Sequence, residues 1–366
     1  MDCILEQLKL IYENSEFSAI VYDRNFSMCW QNHYAREAFA SYADTKNGVL
    51  SSLALTEIQR RLQVNGIIHC RMSPFPACGG GVTFARCGEY YLALFCKDIF
   101  YSAKQRGMIT DGAMGLSASV RESINEISLA GAAIQSLFDS DDPEAERLFG
   151  KLRRSNYRML RSVRNVTLLS QYSAGVLELR KERCDVAALT KTLCRSAADV
   201  QPSEIKIQTV LPDHPVETMI DTELFTRALL NLLLNALIYT RDGNRIEVTV
   251  ADSDAFVTVK VRDRGAGIRV ENLSSVCDAY FSCEPADDGG VRPGIGLGLT
   301  VASLFCDTHG GSLIISSEFG VGTTALMSIK KVPCAGEAFR ASVSRIITDH
   351  FSPLYIELGG IVDFDL

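Results

Sequence analysis

The sequence predicts an α+β protein made of three units in series, and three observations predict it. Apolar and polar residues alternate near both ends of the chain, as in Ile246-Glu-Val-Thr-Val250, the pattern of half-buried strands. Between those ends, residues 104–180 repeat apolar residues at helical spacing in two runs. Four short patches marked by Gly or Asn then punctuate the last third, where tight turns and close backbone approach need them. The chain has 366 residues, enough for two or three domains, and its 47% apolar content supports ordinary cores.

Residues 1–102 read as a small α+β module. Ile4, Leu5, Leu8 and Ile11 have helical spacing. Ser18-Ala-Ile-Val-Tyr-Asp23 predicts a strand, Asp23-Arg-Asn25 a turn, and Phe26 to Trp30 the paired strand of a hairpin. Gly81-Val-Thr-Phe-Ala and Glu89-Tyr-Tyr-Leu-Ala-Leu-Phe95 predict two more strands around Arg86-Cys-Gly88. The stretch Ser15 to Phe39, with Asp23 and Trp30-Gln-Asn32, resembles the start of a PAS sensor domain. A plain structural module is the other reading, and no ligand residue stands out.

Residues 104–180 predict a helical hairpin. Val120, Ile124, Ile127, Ile134 and Leu137 make one apolar stripe. Asp139-Ser-Asp-Asp-Pro143 breaks it; Asp142 is placed to cap a second helix, with Pro143 at its first position and Glu144 in its first turn. Leu148, Leu152, Met159, Val163, Val166 and Leu169 form the second stripe. Two helices cannot bury both stripes alone, so a second copy is expected to complete a four-helix bundle in a homodimer. The alternative is that the hairpin packs on the chain's own domains.

Residues 183–332 predict a two-layer α/β sandwich. Val257-Thr-Val-Lys-Val261 alternates like the strand before it, as do Ala325, Met327 and Ile329. Helices over 186–199, 221–239 and 296–308 are expected to cover one sheet face. The tail, 333–366, shows helical spacing around Phe339, Val343 and Ile346, then Leu354-Tyr-Ile-Glu-Leu358, and carries no functional signal.

Composition narrows the function classes. The net charge of -7 and pI near 5.4 argue against a nucleic-acid partner or an anionic membrane surface. The longest apolar run, Ala228 to Ile238, is far short of the roughly 18 residues of a membrane helix. Met1-Asp2-Cys3 lacks the basic start of a signal peptide, so a cytoplasmic location is expected. The 12 cysteines form no C-x2-C or C-x4-C pair; most are read as small buried hydrophobes. A redox or metal role for the six in the first 100 residues has no support from spacing.

The four patches carry the chemistry. They are Asn231-Leu-Leu-Leu-Asn235-Ala236, Asp263-Arg-Gly265-Ala-Gly267-Ile268, Gly294-Ile-Gly296-Leu297-Gly298-Leu299 and Gly320-Val-Gly322-Thr323. In this order they resemble the N, G1, G2 and G3 boxes of the ATP-binding domain shared by sensor histidine kinases, type II topoisomerases, heat-shock-90 chaperones and mismatch-repair ATPases. Tyr280-Phe281 stand where that family has its F box, and the polar run from Ser282 to Arg292 where it has a mobile lid. The resemblance implies ATP with Mg²⁺, and a metal ligand at Asn235. It also implies an aromatic wall at Tyr239, and at Asp263 a carboxylate that accepts a hydrogen bond from the adenine amine.

Residue chemistry agrees with those roles. Asn231 and Asn235 lie four apart and share a helix face. Their neutral oxygens suit Mg²⁺, which takes its other ligands from phosphates and water. Gly294, Gly296 and Gly298 precede a helix whose exposed N–H groups suit phosphate oxygens. Arg292 is either a phosphate contact or a solvated lid charge. The hydrolytic relatives carry a water-activating Glu where this chain has Asn231, which cannot act as a base at neutral pH. A phosphate-contacting Lys common in the family is replaced by Ile238, which implies weaker nucleotide binding. His309 is read as structural.

One departure is larger. Histidine kinases carry His-Glu/Asp-x-Arg-x-Pro on the first bundle helix; the nearest match is Ala118-Ser119-Val120-Arg121-Glu122-Ser123-Ile124. None of the five His residues (33, 69, 214, 309, 350) falls in either predicted bundle helix. Ala118 cannot attack phosphate, and Ser117 or Ser119 would be an unactivated hydroxyl. The first reading is a sensor histidine-kinase homologue that transfers the γ-phosphoryl group to a protein. The second is a pseudokinase whose ATP-bound dimer regulates a partner, either a response regulator or a true kinase. A Ser/Thr-directed kinase and a hydrolytic ATPase rank below both.

Overall fold

The computed structural model describes residues 3–13, 15, 18–38, 52–72, 82–95, 119–120, 122–134, 142–200, 204–240, 245–273, 275–281, 295–333 and 353–359. The N-terminal unit comprises α1 (Cys3–Tyr12), β1 (Ser18–Tyr22), β2 (Met28–Gln31), α2 (His33–Ala38), α3 (Ser52–Asn65), β3 (Ile67–Met72), β4 (Val82–Cys87) and β5 (Tyr90–Phe95). Asp23 makes the β1–β2 turn: its carboxylate accepts the N–H groups of Asn25 and Ser27, each at 2.8 Å. The five strands are antiparallel in the order β2-β1-β5-β4-β3. Ile58 and Leu62 of α3 pack on Ile20, Ile68 and Phe84 in its core.

The hairpin follows. Residues 122–134 are helical and run against α4 (Pro143–Ala174). Asp142 caps α4 by accepting the Glu144 N–H at 2.9 Å, and Gly175 closes it in the left-handed conformation. The Asn156 amide donates to Ser128 at 3.2 Å, and a Cβ on Gly131 would meet Leu152 at 3.0 Å. Contacts thus advance along one helix as they retreat along the other, so the pair is antiparallel. The apolar stripe expected for α4 is not what the chain itself buries: Leu148, Leu152 and Met159 are exposed. Asn156, Leu160, Arg161, Asn165 and Leu168 are buried instead, because the rest of the chain packs on that side.

The last unit contains β6 (Lys181–Asp185), α5 (Val186–Val200), β7 (Lys206–Val210), β8 (Glu217–Asp221), α6 (Thr222–Tyr239), β9 (Arg245–Asp252), β10 (Phe256–Arg262), α7 (Val270–Leu273), α8 (Gly298–Thr308), β11 (Ser312–Glu318) and β12 (Gly322–Lys330). β6 and β8 form a separate pair. The helices α5, α6 and α8 pack on one face of the order β11-β12-β10-β9-β7, around Phe225, Leu229, Leu233 and Phe305. The tail helix at Phe339, Val343 and Ile346 lies outside the described residues; α9 (Pro353–Leu358) is described.

The two sheets are one. β3 pairs antiparallel with β11, matching Cys70 with Ile314 and His69 with Ile315, which makes a single ten-stranded sheet. This changes one expectation. Ala325, Met327 and Ile329 face the helices as their alternation predicts, but Leu326 and Ser328 between them are buried too. Leu326 and Ile314 belong to the N-terminal core, so both faces of β12 are covered.

Candidate functional site

Helix α6 positions the two asparagines. Asp221 caps it by accepting the Leu224 N–H at 2.9 Å, and Leu229, Leu232 and Leu233 anchor it in the core. Asn231 is 2% exposed, and its amide donates twice, to the Arg227 carbonyl and to Glu357 Oε2, both at 2.9 Å. Its Oδ1 consequently faces the start of α8, 3.0 Å from where a Cβ on Gly298 would stand. Asn235, one turn on, is half-buried at the mouth of a cleft, with Tyr239 a turn beyond.

The opposite wall is set by Asp263. It follows β10 and is buried; its Oδ1 accepts the N–H of Gly265 at 2.9 Å and of Thr323 at 3.0 Å. Thr323 returns its carbonyl to the Asp263 N–H at 2.9 Å, so the second and fourth patches are stitched together across β10 and β12. With Oδ1 filled, Oδ2 is the oxygen left for a ligand donor. Burial pushes this carboxyl above its ordinary value, and the two backbone donors hold it down. Gly267 has φ +66, and a Cβ there would sit 2.0 Å from the Glu318 carbonyl, so only glycine fits. Ile268 is fixed by its N–H on Ser317 Oγ at 2.8 Å.

The third wall is the start of α8. Its N-cap is Leu297, which offers no side-chain cap, so the first-turn N–H groups remain for an anion. Gly296 (φ +77) turns against the Phe281 backbone, where a Cβ would come within 2.2 Å. Phe281, Gly296, Leu297, Gly298 and Leu299 line the same cleft as Asn231, Asn235, Tyr239, Asp263, Gly267, Ile268 and Thr323. Two expected residues stand off it. Gly265 packs under the Tyr239 carbonyl, and Tyr280 is exposed and outside the lining, its N–H donating to Gly296 O at 3.1 Å. Gly294 and Arg292 lie outside the described residues, as do Ala118 and Arg121.

Sequence reading missed a fourth wall. Arg161, Ser162 and Asn165 of α4 also line the cleft, and Arg161 is the one cation among its described lining residues. The signal was present as two polar residues four apart on a helix read only for its apolar stripe. The oxygen donors suit Mg²⁺ held mainly by phosphates: the amides of Asn165, Asn231 and Asn235 line the cleft, and no cluster of three His, Cys, Asp or Glu exists among the described residues.

A cleft that joins a buried carboxylate to two helix amides and an uncapped helix start, on an α/β sandwich, defines a nucleotide-binding ATPase-type domain. Residues 220–333 match the family described as histidine kinase-, DNA gyrase B-, and HSP90-like ATPase. Over 111 residues, 30% of this chain, it is 33% identical to the sensor protein SrrB of Staphylococcus aureus strain NCTC 8325 / PS 47, and equally to that of strain COL. That match spans 19% of the length of each relative. The crystal structure of full-length ShkA in complex with AMPPNP is similar in fold, with TM-score 0.50 and 20% identity over 62% of this chain and 47% of that one. No helix among the described residues is long and apolar enough to cross a membrane.

Proposed function

We propose that this chain is a sensor histidine-kinase homologue that binds Mg-ATP and takes part in two-component-type signalling by γ-phosphoryl transfer to a protein. One observation carries the reading: Asp263 keeps one carboxylate oxygen for the cleft, and Asn235 and the uncapped start of α8 line that same cleft. A purine amine suits the Asp263 oxygen, and a metal-bound triphosphate suits Asn235 and the start of α8. Arg161, the one cation among the described lining residues, is the candidate phosphate contact in a chain that has Ile238 in place of the family's Lys. Transfer would rest on positioning and charge neutralisation.

The units around the cleft fit the same reading. Residues 1–102 are assigned as a PAS-like sensor module, supported by the five-stranded antiparallel sheet with α3 on its core. Residues 104–180 are assigned as a dimerisation hairpin, supported by Ile127, Ile134, Leu148, Leu152 and Met159, apolar yet exposed on both helices. Residues 183–332 are the nucleotide unit and 333–366 a tail. The partners are a second copy and a response regulator or partner kinase.

The second reading, an ATP-gated pseudokinase, is favoured by Ala118 at the acceptor position. Purified protein incubated with γ-labelled ATP and Mg²⁺, beside a binding titration, separates the two. Acid-labile label supports a histidine kinase, acid-stable label a Ser or Thr acceptor, and tight binding without label the pseudokinase. No binding removes both readings.

A further inference from the structure

We infer that α9 is an intrachain latch on the nucleotide site, with the Glu357 carboxylate set between helices α4 and α6 so that latching and triphosphate binding oppose each other. The coupling half of this inference rests on the ATP reading above.

α9 is short, but its side chains are divided between two bodies. Leu354 and Leu358 are buried in the core of the nucleotide unit. Ile356 is buried instead with Ile124 and Leu160 of the hairpin. Gly359 lies so close to α4 that a Cβ would meet the Tyr157 ring at 2.5 Å. The segment therefore fastens the nucleotide unit to the hairpin from both sides.

Glu357 is the polar centre of that joint and is completely buried. Its Oε2 accepts from the Asn231 amide at 2.9 Å, and its main-chain carbonyl accepts from Arg161 Nη1 at 3.3 Å. Its Oε1 lies 3.9 Å from Arg227 Nε, and neither of these two atoms has a hydrogen-bond partner among the described residues. Arg227 also donates to Asn165 Oδ1 at 3.1 Å. A buried ionic group with one loose pair adds little to stability, yet is costly to break one-sidedly; that suits a contact made or released as a unit.

Some of these groups reach the cleft. Arg161, Asn165 and Asn231 line it, and Asn165 also borders a small cavity shared with Leu297 and Thr300 at the start of α8. Arg161 is the cation a triphosphate there would meet; the Glu357 carboxylate beside it offsets that charge and would itself repel phosphate. If the closed latch weakens nucleotide binding, bound nucleotide must loosen the latch by the same factor.

The test titrates the full-length chain and Glu357→Gln with a non-hydrolysable ATP analogue and Mg²⁺, and follows amide hydrogen exchange over residues 156–165 with and without it. A chain ending at Ser352 is run alongside; should it fail to fold, the near-isosteric Gln variant decides alone. Expected are affinity at least about fivefold tighter in Glu357→Gln, and faster exchange over 156–165 both in that variant and in nucleotide-bound wild type. Binding equal to or weaker than wild type in Glu357→Gln overturns the inference and leaves the ATP reading standing. Absence of binding in every form removes the ATP reading and the coupling with it.

Discussion

The Nε2 of His309 accepts the backbone N–H of Asp221 at 3.0 Å. The ring's other nitrogen must then carry the proton, and it donates to the Phe305 carbonyl at 2.8 Å. His309, from the end of α8, so fixes the residue that caps α6, the helix bearing both asparagines.

This bond predicts an acid-labile fold. Burial, by desolvating the charged ring, drives the His309 pKa from 6.5 down to about 4, and a second ring proton would also leave the Asp221 N–H without this acceptor. The unfolded chain binds that proton first, so the contribution is fully present above pH 6.5 and is lost as pH falls toward 4. Denaturant melts of wild type and His309→Leu across this window should differ in slope, wild type losing about 2–3 kcal/mol more than the variant. Parallel profiles would refute the assignment.

Asp263→Asn should cut nucleotide affinity by about 10- to 100-fold, the worth of a charge-assisted hydrogen bond. The amide oxygen would still serve Gly265 and Thr323, leaving the NH2 aimed at the ligand's own donor. Calorimetric titration with ATP checks it, and an unchanged constant sinks the proposed adenine end.

Asn235→Ala is expected to act only through the metal. Affinity for Mg-ATP should fall, while affinity for ATP measured in excess chelator stays within about twofold, because the half-buried side chain lines the cleft and makes no hydrogen bond among the described residues. An equal loss in both conditions would assign Asn235 a packing role instead.

Leu148 and Leu152 are half or more than a third exposed on α4, at 53% and 36%. If a second copy covers them, Leu148→Glu together with Leu152→Glu should convert a dimer to a monomer in sedimentation while nucleotide affinity holds. A wild type that sediments as a monomer contradicts the dimer outright.

Much of the cleft was legible because its patches are local: each Gly or Asn spacing encodes its own turn or helix face, as Gly267 and Asn235 do. What escaped was non-local. Arg161 lies 70 residues before Asn231 in sequence, and Glu357 follows it by 126, the separation of their hydrogen bond. No periodicity reveals that a tail carboxylate will meet a helix amide. Likewise β3 reads as an ordinary strand, and only the folded chain shows that its partner is β11.

That pairing bears on where the chain can be cut. A fragment beginning at β6 would keep every described wall of the cleft except α4, but would strip β3 from β11 and α3 from Ile314 and Leu326. Ser312 to Ile315 would then present bare backbone donors and acceptors beside newly wet apolar side chains, a template that recruits further strands. The N-terminal module is thus also a solubilising shield for the domain it adjoins.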